Sequence, residues 1–464
     1  MKKHFILHPV LFALLPVLTA YFHNMDQLRP AQITQPAALT VLFAVVLVAL
    51  VTLITRSYYK AVLLVSPFLV IFLSYGYIYS YIGHLMARTP WYLIVTAFSA
   101  LSLALLLAYT WFCRIILKTE QISTISSLNR VFNLVAMLLV GFNLVQIGAA
   151  SFFGSGVNKI TKPNCTPAAG MFSAKKPDIY YILLDGYAGL DQIKTVYNYD
   201  NSPFVAKLVE KGFYVAKKSE SKFIYTALSL TSSLNMEHAK DMEKNDPRLL
   251  ALVRNNKISQ LLKCQGYKYI TFGSWYHTTG YNPYADHHFN TFGFRFTNDL
   301  TSLLVRSSAV SLLFIDRDYH RRSILAVFDE LPNIVPLEGP KFVWVHLLCP
   351  HEPLVFGPQG EKISFKDSTF SLRKSLYLGQ FIFITKKIDR LIDQILSSSK
   401  EPPIIVIQSD HGIRSLSGSP NQIFNAYYLP GEGSKLLYES ISPVNTFRLI
   451  LNHYFNGRYD LLPD

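Results

Sequence analysis

Three groups of acidic or imidazole side chains follow short apolar runs in this 464-residue sequence. Asp185 ends the run DIYYILLD, and Asp410 and His411 directly follow the run PIIVIQS. His346 lies near the end of the run KFVWVHLL, and His351 lies three residues after it. Parallel strands present their carboxyl ends at one edge of a sheet, where open α/β sheets bind ligands. Carboxylate and imidazole groups at such an edge form a mixed oxygen and nitrogen ligand set that suits zinc or manganese.

The strand-end acids also have a simpler explanation, because Asp before Gly is commonly a turn residue. Taken singly, the pair Asp185-Gly186 would be interpreted as a turn. Three such ends on one sheet edge are hard to explain as three turns. We therefore favour a binding site at that edge.

A hydroxyl nucleophile is available in FIYTALSLTSSLNM (223–236), where Thr226 precedes a helical run of Ala, Leu and Ser. At a helix N-terminus, the dipole and the free N–H groups favour an alkoxide and a bound anion such as phosphate. The alternative is that Thr226 is an ordinary N-cap, a position that prefers threonine. Competing hydroxyls would lie inside the helix and point less well at the strand ends; they are Ser229, Thr231, Ser232 and Ser233.

The elements that must position these residues alternate between strands and helices. Continuous runs rich in Ile, Val and Tyr predict strands buried on both faces, at 178–185, 267–274, 341–348, 403–410 and 425–430. Amphipathic patterns between them predict helices at 202–212, 257–266 and 375–396. The alternation predicts an α/β fold in which a mainly parallel sheet carries helices on both faces. This soluble domain occupies 177–464 and follows a polar linker at 154–176.

Residues 1–153 differ sharply in composition from the rest of the chain. They hold nine basic and two acidic residues, although half of the whole sequence is hydrophobic. Five apolar stretches each approach the ~20 residues that a helix needs to cross a bilayer. The stretches lie at 5–22, 38–55, 61–83, 91–112 and 131–153. The sequence therefore predicts an all-α membrane domain of five transmembrane helices ahead of the soluble domain.

The charges of the short loops predict the orientation. Seven Lys or Arg residues fall on the side of the N-terminus, and only Arg29 and Arg88 fall on the other. The positive-inside rule then places the N-terminus in the cytoplasm. An odd number of spans puts the soluble domain on the opposite side, in the periplasm or outside the cell. With its N-terminus in the cytoplasm, the chain is predicted to lie in the inner (cytoplasmic) membrane. The spans either anchor the domain only or also hold a lipid substrate, and the two readings are about equally supported.

Other features are less informative. The net charge of +14 does not imply nucleic acid, because half of it belongs to the membrane part and no nucleic-acid motif occurs. The segment 275–290 carries His277, His287 and His288 and could hold a second metal or stack on a sugar, but we favour a solvated loop. Three cysteines lie in the soluble domain, where a disulfide is possible and one thiol is left over; they are Cys165, Cys264 and Cys349.

The combination of a strand-end acid, a helix-start threonine about forty residues later and a late Asp-His-Gly resembles the alkaline phosphatase superfamily. The similarity is greatest to its sulfatase-like branch of membrane-bound lipoteichoic acid synthases and phosphoethanolamine transferases. It covers about 177–464, and those enzymes also carry five spans before an exterior domain.

The resemblance implies roles for individual residues. It implies that Asp185, Asp410 and His411 are metal ligands and that Thr226 is both ligand and nucleophile. His351 is similar to a histidine on the substrate side of the family's site, and His346 is its companion. A divalent cation, zinc or manganese, would lower the pKa of the threonine hydroxyl, and an imidazole could protonate the departing alcohol.

The sequence departs from the family pattern in two places. The phosphotransferases usually have Glu where Asp185 stands, and Asp is more like the sulfatases and phosphodiesterases. Gly186 stands where sulfatases have a second Asp, and no Cys/Ser-x-Pro-x-Arg segment could supply a formylglycine. The first departure implies that the geometry or identity of the metal differs from that of the phosphotransferases. The second argues against cleavage of sulfate esters by the usual sulfatase route.

Two enzyme functions follow from the resemblance. The first is a metal-dependent transferase that moves a phosphoethanolamine or phosphoglycerol type of group from a membrane phospholipid to an envelope glycan through a phosphothreonine. The alternative is a membrane-anchored hydrolase, either a phosphodiesterase or a sulfuric ester hydrolase. A non-catalytic protein that keeps the fold is a third hypothesis, which the joint presence of Asp185, Thr226, Asp410 and His411 opposes. The sequence leaves the oligomeric state open.

Overall fold

The computed structural model of the chain divides into two compact units. The first comprises residues 1–159 and 296–316, and the second comprises 160–295 and 317–464. The structure describes residues 6–25, 28, 30–85, 91–153, 176–246, 248–274, 276, 278–289, 299–310, 318–363, 370–414 and 420–463. The predicted linker therefore lies outside the described residues, apart from Lys176.

The first unit contains five apolar helices, as the sequence predicts. They are α1 (His8–Phe22), α2 (Thr34–Thr55), α3 (Tyr58–Leu85), α4 (Trp91–Lys118) and α5 (Ile122–Phe153). Among the described residues, four apolar helical segments are long enough to cross a membrane. The first contains α2 and the turn before it, and the others lie within α3, α4 and α5. Helix α1 is shorter, with 15 residues. Four apolar helices of membrane-spanning length are thus confirmed, while a fifth complete span remains a prediction.

A short helix from later in the chain belongs to the first unit. Helix α11 (Asp299–Ser307) packs against α1, α2, α3 and the 3₁₀ turn Pro30–Ile33. Its Leu300 and Leu304 are buried. The turn Pro30–Ile33 lies in the connection between α1 and α2. Helix α11 therefore packs at the end of α1 and α2 where that connection lies.

A seven-stranded sheet forms the centre of the second unit. Its order is β2-β7-β6-β1-β5-β3-β4. The central strands β1, β3, β5 and β6 and the edge strand β4 run parallel, whereas β7 is antiparallel to β6, and β2 to β7. The strands are β1 (Ile179–Leu184), β2 (Tyr214–Val215), β3 (Lys268–Phe272), β4 (His287–Phe289), β5 (Lys341–Leu347), β6 (Ile404–Ser409) and β7 (Asn425–Tyr428). The predicted mainly parallel sheet is confirmed, with two short edge strands that the sequence did not predict.

Helices cover both faces of this sheet, because both faces of the central strands are apolar. In β1, Tyr180, Ile182 and Leu184 join one hydrophobic core, and the alternate residues Ile179, Tyr181 and Leu183 join the other. The first core packs on α6 (Leu190–Tyr197), α7 (Ser202–Glu210), α12 (Asp318–Ile334) and α13 (Phe370–Ser398). The second packs on α8 (Thr226–Asn235), α9 (Arg248–Arg254), α10 (Lys257–Cys264) and α14 (Pro443–Phe455).

Part of the histidine-rich segment 275–290 forms a strand, and not the solvated loop that the sequence favours. His287–Phe289 forms β4, which pairs in parallel with β3. His288 lies opposite Thr271, with Nδ1 2.9 Å from its Oγ1. Burial, with a contribution from the charge of Arg254, lowers the pKa of His288 to about 4. His288 is therefore a neutral structural residue, and His277 lies outside the described residues.

The cysteines of the second unit include both states that the sequence allows. Cys264 is disulfide-bonded. Cys349 is a buried free thiol, and Cys113 in the first unit is also free. A disulfide suits an oxidising compartment, and this is consistent with the exterior location predicted for the domain.

Candidate functional site

The three strand ends meet because β1 lies between β5 and β6 in parallel register. Leu184, the last residue of β1, pairs with Leu347 of β5 and Ser409 of β6. The chain then continues into Asp185 on one strand and Asp410 on the next. The N–H of Gly186 donates to Asp410 Oδ1 at 3.0 Å, which ties the two loops together.

Asp410 and His411 are held in defined orientations by backbone groups. Asp410 Oδ1 also accepts from the N–H of His411 at 3.0 Å, while Oδ2 is buried without a hydrogen-bond partner. His411 Nδ1 lies 2.6 Å from the carbonyl oxygen of Gly412, so Nδ1 carries the proton. The other ring nitrogen, Nε2, then faces the site, 3.4 Å from Asp410 Oδ2. Burial lowers the pKa of His411, but Asp410 and Asp185 together raise it above its usual value.

Asp185 lies between two imidazoles. Its Oδ2 is 3.3 Å from His346 Nε2, and its Oδ1 is 3.4 Å from His411 Nε2. Neither Asp185 Oδ1 nor His346 Nε2 lines up for a hydrogen bond, although both atoms are buried. Burial alone would raise the pKa of Asp185, but the facing imidazoles of His346, His411 and His351 hold it well below its usual range. The carboxylate is therefore ionised.

His346 is supported by a chain of hydroxyls that the sequence analysis did not find. Its Nδ1 lies 2.8 Å from Thr279 Oγ1, which lies 2.6 Å from Ser274 Oγ. Ser274 in turn accepts from the N–H of Tyr276, whose ring packs edge-on against His346. The chain orients Nε2 of His346 toward Asp185. Ser274 and Thr279 have no motif of their own, so only the fold reveals this role.

His351 lies beside the same centre but is more exposed. Its Nδ1 is 2.7 Å from the carbonyl oxygen of Glu352, and its ring centroid is 5.9 Å from that of His411. Its backbone N–H donates to the carbonyl of Asp185, and its own carbonyl accepts from Gln380. These bonds fix the loop and leave the half-buried imidazole at the mouth of the site.

Thr226 is the first residue of α8, and Tyr225 is the N-cap. The alternative that Thr226 serves as an ordinary N-cap is therefore wrong. Its Oγ1 accepts from Arg414 Nη2 at 3.3 Å, and Arg414 Nη2 also contacts His411 Nε2. One guanidinium thus links Thr226 to His411, a member of the strand-end cluster, by which we mean Asp185, His346, Asp410 and His411. Arg414 was missed by the sequence analysis, although it lies only three residues after His411.

The competing hydroxyls of α8 are engaged elsewhere or turned away. Ser232 donates to the carbonyl of Leu228, and Ser233 donates to the carbonyl of Ser229. Ser229 Oγ lies 3.2 Å from Ser221 Oγ. Thr231 is buried, and its Oγ1 has no hydrogen-bond partner among the described residues. In the described part of the site, Thr226 is the α8 hydroxyl that Arg414 links to His411.

The residues at this edge fit a divalent metal. Two groups of three offer ligand atoms that lie within 4.8 Å of one another: Asp185, His351 and His411, and Asp185, His346 and Asp410. Asp185 Oδ1, Asp410 Oδ2 and His346 Nε2 are buried without hydrogen-bond partners, which is costly unless a cation satisfies them. Carboxylate oxygens with imidazole nitrogens suit zinc or manganese.

A test of the hydroxyl chain is the substitution Thr279→Val, which keeps the shape of the side chain. It removes the partner of His346 Nδ1, and loss of such an outer support typically weakens metal affinity by about 10- to 100-fold. Titration of the purified full-length protein with zinc and with manganese measures the change. Thr446→Val is the matched control, because Thr446 is also buried and bonds to Tyr427 and Gln408 instead. Equal metal affinity in both variants would contradict the role of Thr279.

Comparison with known proteins assigns the family. A model of the sulfatase family matches residues 177–447, which is more than half of the chain. The chain belongs to the sulfatase family. It is therefore an enzyme of the sulfatase-like type, with a unit of apolar helices ahead of the matched domain. No significant match to a curated protein was found.

Several solved structures are similar in fold. The integral membrane protein lipooligosaccharide phosphoethanolamine transferase A from Neisseria meningitidis is 14% identical, with 96% of this chain and 95% of that chain covered and a TM-score of 0.42. The C-terminal periplasmic domain of EcEptC from Escherichia coli is 13% identical, covering 61% of this chain and 83% of that chain, with a TM-score of 0.43. The lipoteichoic acid synthase LtaP from Listeria monocytogenes is 12% identical, with 56% of this chain and 66% of that chain covered and a TM-score of 0.37. At such scores, the family match alone carries the assignment.

Proposed function

We propose that this protein is a metal-dependent transferase of the cytoplasmic membrane. It removes a phospho-substituted group, of the phosphoethanolamine or phosphoglycerol type, from a membrane phospholipid and passes it to an envelope glycan on the exterior side. Thr226 carries the group between the two reactions as a phosphothreonine. The observation that supports this most directly is the position of Thr226 at the start of α8, joined through Arg414 to His411. Nε2 of His411 lies 3.4 Å from Asp185 Oδ1 and 3.4 Å from Asp410 Oδ2, the two carboxylate oxygens that lack a hydrogen bond.

The metal site comprises Asp185, Asp410, His411 and Thr226, with zinc or manganese as the ion. His346 is a second imidazole facing Asp185 and is available to the same centre. When bound, the ion supplies positive charge that lowers the pKa of the Thr226 hydroxyl and offsets the charge of the phosphoryl oxygens. The protein's own part is to hold these ligands rigidly through the backbone bonds to Asp410 and His411.

The transfer takes two balanced steps. In the first, deprotonated Thr226 Oγ1 attacks phosphorus, the bond to the lipid glycerol oxygen breaks, and protonated His351 gives its proton to the departing alcohol. In the second, a sugar hydroxyl attacks the phosphothreonine, and its proton passes to His351. The bond to Thr226 breaks and restores the deprotonated oxygen. His351 suits this exchange because it lies at the mouth of the site with Nδ1 bonded to a carbonyl.

The surroundings of the site favour a charged headgroup as substrate. A cleft of about 240 Å³ is lined by His351, His411 and Arg414 together with Arg373, Lys374 and Glu352. The basic side chains suit a phosphate, and Glu352 suits an ammonium group such as that of ethanolamine. The four long apolar helices of the first unit keep the chain at the bilayer, where the phospholipid is available.

The proposal is tested with purified full-length protein in vesicles that contain phosphatidylethanolamine or phosphatidylglycerol labelled in the headgroup phosphate. Without an acceptor, we expect at most one diacylglycerol and one retained label for each chain. Mass spectrometry of the peptide containing Thr226 then identifies the transferred group from its added mass. An enzyme that cleaves either lipid without any adduct on Thr226 would contradict the phosphothreonine step.

The alternative is a tethered hydrolase that acts on water-soluble or glycan esters. Asp185 favours it, because an Asp at this position is more like the sulfatases and phosphodiesterases of the superfamily. Steady turnover of a soluble phosphodiester, without release of diacylglycerol from the vesicles, would support the hydrolase. Turnover of a sulfate ester would in addition oppose the expectation from the missing formylglycine segment.

A further inference from the structure

Arg414 contacts the Thr226 hydroxyl, although it lies outside the Asp410-His411-Gly412 motif that follows β6. It lies in the loop after β6, and its guanidinium carbon is 5.5 Å from the centroid of the Tyr225 ring. Tyr225 is the residue directly before Thr226, so the ring holds the guanidinium next to the hydroxyl. Arginine stacks well on an aromatic face because its charge is planar and weakly hydrated.

The partners of this guanidinium leave most of its hydrogen-bonding capacity unused. In the described part of the chain they are the Thr226 hydroxyl, the His411 ring and the Tyr225 ring, and no carboxylate pairs with it. An arginine carries five N–H donors in a fixed fork that matches the oxygens of a phosphate. Its side chain also lines the cleft that contains His351 and Lys374. The geometry therefore offers an anion-binding fork beside the nucleophile.

We propose that Arg414 is a catalytic residue that binds a non-bridging oxygen of the phosphoryl group during its transfer to and from Thr226. This proposal rests on the proposed function, because it takes Thr226 as the nucleophile. Arg414 gives up no proton and forms no covalent bond. Its N–H groups donate to the oxygen on which negative charge collects while the bond to Thr226 forms and the bond to the lipid oxygen breaks.

The test compares Arg414→Gln and Arg414→Lys with the wild type in the full-length protein. Inorganic phosphate is the probe. Its inhibition constant is measured on the release of diacylglycerol from vesicles, and the rate of labelling of Thr226 is measured in a separate assay. A charge-assisted hydrogen bond accounts for about a 10- to 100-fold change in affinity. We expect Arg414→Gln to raise the inhibition constant and slow labelling by about this factor, and Arg414→Lys to recover part of both. Metal content, measured by elemental analysis, should remain that of the wild type.

Lys244→Gln is the matched control, because Lys244 Nζ lies 5.2 Å from the centroid of the same Tyr225 ring. It loses the same charge at the same ring, and we expect the inhibition constant for phosphate to stay within about twofold of the wild type. An unchanged inhibition constant in Arg414→Gln would overturn the proposal, as would loss of metal together with loss of phosphate binding. Absence of labelled Thr226 in the wild type would instead overturn the proposed function, since phosphate inhibition is measured independently of labelling.

Discussion

Replacing Thr226 with alanine is expected to abolish lipid-dependent transfer while the protein stays folded. The substitution removes the attacking oxygen, and loss of a nucleophile lowers the rate by roughly 10³-fold or more. The N-cap of α8 is Tyr225, and the hydrogen bond that the Thr226 hydroxyl makes is with Arg414, so the start of the helix does not depend on the hydroxyl. Release of diacylglycerol and retention of labelled headgroup on the protein measure the effect. Thr226→Ser keeps a hydroxyl and should retain part of the activity.

Ser229→Ala is the control for this prediction. Ser229 lies one turn further along α8, and its Oγ is 3.2 Å from Ser221 Oγ. The variant loses a hydroxyl from the same helix, and we expect transfer close to that of the wild type. Transfer by Thr226→Ala at the wild-type rate would show that another group is the nucleophile. Loss of transfer in Ser229→Ala, with Thr226 still labelled, would place the acceptor step near Ser221.

Asp410→Asn is expected to remove the metal and with it the activity. The amide oxygen can still accept from the N–H groups of Gly186 and His411, so the loop keeps its shape. The amide nitrogen then stands where the unpartnered Oδ2 lies, and an amide N–H₂ is a donor that cannot bind a cation. Elemental analysis should show little bound metal, and affinity should fall by at least about 100-fold. Added zinc or manganese should raise the melting temperature of the wild type and not that of the variant.

Asp389→Asn is the control for the change of charge. Asp389 lies on α13 and pairs with Lys211 at 2.6 Å and Lys207 at 3.2 Å, outside the strand-end cluster. It also loses one negative charge, and we expect its metal content and its melting response to added metal to match the wild type. Full metal content in Asp410→Asn would contradict the ligand role of Asp410.

Much of the fold of the second unit could be predicted from the sequence. Strands buried on both faces have continuous apolar runs, and β1, β5 and β6 are such strands. Helices α7 and α10 were predicted to stop at Gly212 and Gly266, and both glycines have a positive φ, of 89° and 84°. Such signals are local, because they depend on side-chain period and backbone freedom within one element.

The edge strands β2 and β4 could not be predicted in this way. They contain two and three residues, too few for any periodicity, and they form because a neighbouring strand presents free hydrogen-bonding groups. His288 illustrates the same limit. Its sequence context, polar and rich in histidine and aromatic residues, suggested a loop, yet pairing beside Thr271 makes it a structural residue.

The residues of the candidate site also fall into two groups, those that local sequence signals predict and those that only distant contacts bring together. Asp185, Asp410 and His411 were predicted because each follows a strong strand signal, and Thr226 because it starts a helix. Which groups face one another is a matter of register between strands that are more than 150 residues apart in sequence. The sequence alone therefore determined the membrane unit, the α/β domain and the donors at its strand ends. Only the tertiary structure decided that Thr279 supports His346 and that Arg414 reaches Thr226, because those contacts depend on loops whose paths are set by the packing of distant elements.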